Sequence, residues 1–557
     1  MEPGVPIGTS QPSRPRSTLL ATGTLLAIGA LALVGCDDDT EVALDPEVAN
    51  FTADDDCFGI DVTTADPDEV SCVTVTVPLD HEEPEAEHLD LAVATVEGSS
   101  DAAPIVVLGG GPGEPVVEAA LTEPLALERV TADDRDVVLL DQRGVGLSSP
   151  ELVCDALADQ PVGLELGVEE SLDELTACRE ELTNEGIDLS AFNHLANARD
   201  VHGVRAALDL DEVVLRGTSY GSPLALHAAS LDPEPIEALV LSSPADPTSN
   251  YVQDVAPGFQ QALDRIAAAC ADDPACAEPF GDLEEGIDEV VAHLEDQPEE
   301  VTATPLDGGE PVTRTYTPRS FLDAVFSALY APDGGAFLPA LLQEARDGEL
   351  ENLAGLHTTK EAALAELPQG MYYSMVCTGE GALVDTDDAR AEVEWPAVQE
   401  HWFEPGGVGA ANTAAACEAW DVEPVFDPDE LALAEDVPTL LVTGGLDHVT
   451  PPDTGERLDE QLTTSHLVEA PTLTHAPLEA LDATFSGCGT SIVEDFLADP
   501  SAAPDASCVD LVPDRSAISL WFGWREAGWA LGPPRAWSGR RVGARPGVVR
   551  PAGRAAR

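Results

Sequence analysis

The stretch Val213-Val214-Leu215-Arg216-Gly217-Thr218-Ser219-Tyr220-Gly221-Ser222-Pro223-Leu224-Ala225-Leu226-His227-Ala228-Ala229 decides the fold. A short apolar run ends at Gly217, a serine stands between two glycines, and helix formers follow at once. That order reads as strand, tight turn and helix, with no room for side chains where Gly217 and Gly221 stand. The turn projects the Ser219 hydroxyl from the end of a strand, and the helix amino terminus beneath it favours developing negative charge. Ser219 is therefore the expected nucleophile.

Outward from this point the same alternation repeats. Leu89 to Ala94 alternates, while Ile105-Val106-Val107-Leu108 and Val137-Val138-Leu139-Leu140 are continuous apolar runs of the kind found in strands buried on both faces. Residues 196 to 208 have helical spacing, and Ala238-Leu239-Val240-Leu241 follows the Ser219 helix. Strands alternating with helices predict an α/β domain with a mostly parallel sheet. Between about 250 and 430 the character turns helical, with segments Phe259 to Cys270, Leu283 to Leu294, Phe321 to Leu329 and Phe337 to Ala345 and no long apolar strand. Thr439-Leu440-Leu441-Val442 and His466-Leu467-Val468 then resume the sheet. The helical block is expected to be an insertion that caps the carboxyl edge of the strands, where ligands bind in open α/β sheets.

A serine hydroxyl is a poor nucleophile until a base takes its proton, and the base needs a carboxylate to orient it and stabilise its charged form. Asp447 follows Leu440 to Leu446 at a strand end, and His475 follows the next strand, giving the chain order Ser219, Asp447, His475. His448 and His466 are rival bases that a structural role also explains. The oxyanion needs two backbone N–H donors. Tyr220, after the nucleophile, supplies one, and Gly111 in Gly109-Gly110-Gly111-Pro112-Gly113 is placed for the other. This glycine loop lacks the lysine and the spacing of phosphate-binding loops.

The charge balance is extreme: 105 acidic residues face 25 basic ones, for a net charge of −80, and every basic residue but Lys360 is arginine. Phosphate backbones would be repelled, which excludes nucleic acid as a partner. The acids reside in residues 37–514, whereas 515–557 carries nine arginines against Glu526. Such a body suits a surface kept hydrated in high salt. The tail reads either as a basic segment for an anionic surface or as a disordered extension.

At the amino terminus Arg14 and Arg16 precede an apolar stretch, Leu19 to Val34, and then Leu33-Val34-Gly35-Cys36. This is the layout of a signal peptide, and the small residue before the cysteine resembles the lipobox of bacterial lipoproteins, which would make Cys36 a lipid-bearing first residue and a membrane anchor. An ordinary signal peptide with an incidental cysteine is the alternative. The remaining ten cysteines form an even set suited to an oxidising compartment. Their grouping suggests the neighbour pairs Cys57–Cys72, Cys154–Cys178, Cys270–Cys276, Cys377–Cys417 and Cys488–Cys508. No spacing suggests a zinc site, and no cofactor is expected.

Gly110-Gly111-Pro112-Gly113, Asp141 to Ser148, the Asp200 to Arg205 helix, Gly217 to Gly221, Asp447 with Thr450-Pro451-Pro452, and His475 together resemble the proline iminopeptidase and tripeptidyl aminopeptidase group of α/β-hydrolase exopeptidases. The likeness runs from about 57 to 514 and includes Cys377, Cys417-Glu418-Ala419-Trp420 and a TAP-like carboxyl-terminal part with Cys488 and Cys508. It implies the α/β-hydrolase fold and peptide substrates cleaved from free amino termini through an acyl-enzyme. It also suggests Glu380 as an anchor for the substrate ammonium.

The expected organisation is a signal peptide over 1–35, an acidic linker over 37–56, and a first core part over 57–249. A helical cap over 250–430, a second core part over 431–514 and the arginine-rich tail over 515–557 complete it. An esterase or lipase with the same triad, and a surface binding protein on a hydrolase fold, are the competing functions.

Overall fold

The computed structural model describes residues 50–512, apart from 55, 158–168, 307, 332, 404–409, 426–427, 429–430 and 485–486. The expected signal peptide, Cys36 and the 515–557 tail lie outside the described residues.

A nine-stranded sheet organises the molecule. Its strands are β1 (Asn50–Ala53), β2 (Val70–Pro78), β3 (His88–Val96), β4 (Ile105–Leu108), β5 (Val137–Leu140), β6 (Val213–Thr218), β7 (Ile236–Ser242), and, after the insertion, β10 (Thr439–Gly444) and β11 (Ser465–Ala470). The order across the sheet is β1-β2-β3-β5-β4-β6-β7-β10-β11. β1, β2 and β3 pair antiparallel, as do β3 and β5, and every later pairing is parallel. The continuous apolar runs have their expected place. Every residue of β4, β5 and β10 is buried, because helices cover both faces of the sheet.

One face packs on the helices His194–Ala207 and Gly221–Leu231, the other on Val117–Thr122, Pro477–Thr484 and Cys488–Ala498. The inserted stretch is more divided than its sequence suggests. Helices Tyr251–Asp272, Leu283–Asp296, Pro318–Ala328 and Gly334–Arg346 build a separate apolar cluster around Phe259, Phe326 and Trp402. Helices Gln369–Cys377 and Ala410–Trp420 instead join the cluster under the main sheet, through Met371, Met375, Cys377 and Trp420. The insertion also contains a hairpin, β8 (Glu299–Ala303) with β9 (Val312–Tyr316), that no apolar run announces. Its strands are half-exposed and rich in Thr and Glu, and they carry three buried residues between them, Val301, Ala303 and Tyr316.

All five neighbour disulfides are present: Cys57–Cys72, Cys154–Cys178, Cys270–Cys276, Cys377–Cys417 and Cys488–Cys508. Cys377–Cys417 ties the two helices that the insertion contributes to the main core. No helix among the described residues is long and apolar enough to cross a membrane.

Candidate active site

The turn after β6 is as tight as its glycines require. A Cβ on Gly217 would stand 2.1 Å from the Gly221 carbonyl oxygen, and one on Gly221 would stand 2.2 Å from that of Leu108. Ser219 itself has φ +54°, a left-handed conformation unusual for a side-chain-bearing residue and costing about 1–3 kcal/mol. Its N–H donates to the Ser242 carbonyl at 2.9 Å, which pins the turn to β7. The helix Gly221–Leu231 starts directly behind it, aiming its positive end at the serine.

Asp447 stands three residues past the end of β10, and its carboxylate is buried. It accepts from Val449 N–H at 2.9 Å, Thr450 N–H at 3.0 Å, Thr450 Oγ1 at 2.8 Å and Ser243 Oγ at 2.6 Å. His475 Nδ1 donates to both of its oxygens, at 3.0 and 2.9 Å. Burial alone would raise the Asp447 pKa, but the neighbouring His475 and the hydrogen bonds outweigh it and hold the carboxyl well below its ordinary range. With Nδ1 engaged, the Nε2 of His475 is the nitrogen left to exchange a proton.

Ser243 is a site residue that sequence reasoning missed. It sits at φ +51°, fully buried just past β7, donates to Asp447 and accepts from the Ala476 N–H at 2.9 Å. One hydroxyl therefore links the acid to the loop that carries His475. No local motif marks it, since its partners lie more than two hundred residues away.

The glycine loop is held by the Asp141-Gln142-Arg143-Gly144 segment. Asp141 accepts from Val116 and Val117 N–H at 2.8 and 3.0 Å, fixing the start of the helix Val117–Thr122. Gln142 Nε2 donates to the Gly109 carbonyl at 2.9 Å and its oxygen accepts from Asn197. Arg143 is buried and forms a two-pronged ion pair with Asp200, both contacts at 2.7 Å, tying the segment to the helix His194–Ala207. On the loop itself, Gly110 N–H donates to the Glu114 carboxylate at 3.1 Å. Glu114 Oε2 and Ser219 Cβ lie 3.1 and 3.4 Å from the point where a Gly110 Cβ would stand, so the loop runs against the serine. Gly111, at φ +104°, is exposed, and neither its N–H nor that of Tyr220 donates to any described residue.

The chain is similar to known proteins. A family model described as alpha/beta hydrolase fold matches residues 103–279, and one described as TAP-like protein matches 406–508. The serine protease Hip1 of Mycobacterium tuberculosis is 27% identical over 484 residues, covering 80% of this chain and 89% of that protein. The tripeptidyl aminopeptidase of Streptomyces lividans is 29% identical over 214 residues, 34% of this chain and 39% of that one. Carboxylesterase B of M. tuberculosis is 27% identical over 294 residues, 48% and 55% of the two chains. The chain has the α/β-hydrolase fold. It is a serine hydrolase, and its likeness is to the peptidase group of that fold.

Two histidines of the hydrolase that rival His475 in sequence are placed otherwise. His448 is fully buried between the rings of Phe326 and Tyr330, and burial pushes its pKa down to about 3. His466 packs against Phe496 with Nε2 3.3 Å from the Pro500 carbonyl. Glu380 differs from its expected place. It is entirely buried, with Oε2 3.0 Å from His194 Nε2, inside the protein and not on a cleft wall. Among the described residues, Glu295, Glu400 and His401 can bring metal-ligating atoms within 4.8 Å of one another, and none of them belongs to the Ser219 cluster.

Proposed function

We propose that this hydrolase is an exported serine aminopeptidase that releases residues or short peptides from free amino termini. The catalytic part is supported by the tight Ser219 turn after β6 and the hydrogen-bonded His475–Asp447 pair, whose acid follows β10 in the same sheet. In this reading Ser219 Oγ attacks the scissile carbonyl while His475 Nε2 takes its proton, and Asp447 stabilises the imidazolium that forms. The Tyr220 and Gly111 N–H groups receive the oxyanion. His475 then gives the proton to the leaving amine, and water repeats the sequence on the acyl-enzyme.

The peptide substrate is supported by the likeness to Hip1 and to the tripeptidyl aminopeptidase. Five disulfides support export, because such bonds persist in oxidising compartments. Lipid attachment at Cys36 is the proposed link to a membrane. An esterase is the second reading, favoured by the likeness to carboxylesterase B, since a triad does not distinguish ester from amide. Free-amino peptide anilides, amino-blocked anilides and short acyl esters, tested together in high salt, separate the two. Turnover of the free-amino anilides alone supports the aminopeptidase, and turnover of esters alone refutes it.

A further inference from the structure

Lys360 is the single lysine of a chain with 105 acidic residues, and its placement is unusual for such a chain. It projects from the helix Glu351–Leu364 of the insertion, with Nζ 3.5 Å from the centroid of the Tyr330 ring. That ring meets His475 edge-on at 5.6 Å and His448 at 4.7 Å. Thr474 Oγ1 donates to the Ala331 carbonyl at 3.2 Å, so the Tyr330 turn and the His475 loop are fastened together. The chain's single lysine ammonium thus stacks on the ring that also meets His475.

Its surroundings differ from those of the buried and half-buried arginines. Arg143, Arg265, Arg319, Arg346 and Arg457 each meet a carboxylate within 4.0 Å. No carboxylate of the described residues comes that close to Lys360 Nζ. The π-face of Tyr330 supports the charge without cancelling it. Lys360 and Tyr330 each keep part of their residue surface open to water. Glu114, on the glycine loop beside Ser219, acts on Lys360 at longer range. Burial raises the Glu114 pKa and so weakens its charge, which leaves the Lys360 ammonium as the cation of this region that an anion would meet.

We propose that Lys360 is a specificity-determining residue, which binds a carboxylate of the substrate on the insertion side of the Ser219 site. This rests on the serine-hydrolase reading and adds a preference for anionic substrates that the acidic surface alone would disfavour. The carboxylate can be an acidic side chain or the free carboxyl end of a short peptide.

The test uses Lys360→Met and Lys360→Arg in the full-length enzyme, against matched pairs: Glu and Gln peptide anilides, short peptides with free and amidated carboxyl ends, and succinyl and neutral acyl esters. In Lys360→Met, KM for the anionic member of a pair is expected to rise about ten-fold or more, with the neutral member within about two-fold. Lys360→Arg keeps the preference, and added salt weakens it in wild type. The pair that responds identifies the source of the carboxylate. Equal changes in both members of every pair, or no change in any, overturn the proposal. Labelling of Ser219 by a neutral fluorophosphonate at the wild-type rate in Lys360→Met shows that the triad is intact. Protection from that label by Glu over Gln peptides reads the same preference without turnover. If only esters are turned over, the aminopeptidase reading falls while the ester pair still decides the role of Lys360.

Discussion

Removing the Ser243 hydroxyl isolates the positioning of the acid from the reacting groups themselves. In Ser243→Ala the Asp447 carboxylate loses a 2.6 Å hydrogen bond, and the Ala476 N–H loses its 2.9 Å acceptor. A hydrogen bond to a buried charge contributes about 1.5–3 kcal/mol. If the carboxylate needs that support when His475 becomes charged, kcat falls about ten- to a hundred-fold. KM for the same substrate should stay within about two-fold, because Ser243 is buried away from the substrate. Stability should also fall at neutral pH. Asp447 is held below the ordinary carboxylate range in the folded state, so its contribution is present above that range and is lost progressively below it, as pH falls toward the depressed folded-state value. The gap in melting temperature between wild type and variant should therefore narrow below about pH 4. Ser243→Gly supplies the control, because glycine adopts φ +51° freely. Equal kcat losses in the Ala and Gly variants assign the effect to the hydroxyl. Unchanged kcat in both, with a native melting profile, would refute the positioning role.

Gly221→Ala places a Cβ 2.2 Å from the Leu108 carbonyl oxygen, so the β6 turn must shift. Hydrolysis should drop to near background and the melting temperature should fall, by calorimetry. Asp200→Ala leaves the Arg143 guanidinium buried without its partner, at a cost of about 3–5 kcal/mol, measurable as a lower denaturation midpoint. Burial pushes the Lys360 ammonium down to about 8, with Glu114 opposing the shift, and Tyr330 and His448 face it from the other side. Any preference for anionic substrates should fade as pH rises through that value, seen as a rise in KM for the anionic member of a pair only.

Much of the fold was legible because local chemistry forces it. The two glycines around Ser219 read as a tight turn in sequence, and the clashes their Cβ atoms would make explain why. Continuous apolar runs such as Val137 to Leu140 marked strands covered on both faces. Asp447 and His475 were legible because they follow such runs. The remainder depends on contacts distant in sequence. Ser243 resembles any loop serine until Asp447 and Ala476 are brought to it. Glu380 is one acid among 105 until His194, far earlier in the chain, closes over it. The hairpin β8–β9 is short and polar, and it takes its stability from the helices around it, so no periodicity reveals it. Helices Gln369–Cys377 and Ala410–Trp420 belong to the insertion in sequence yet pack beneath the sheet. Only their apolar composition, in Met371 to Cys377 and in the alanines around Cys417, hints at that destination.

The decisive measurement is mass mapping after reaction with a fluorophosphonate, on wild type and His475→Ala. A single adduct on Ser219 in the wild type, lost or greatly slowed in His475→Ala, is the expected result. An unlabelled Ser219, or labelling that proceeds at the same rate without His475, would contradict the assignment of this cluster as the reaction centre.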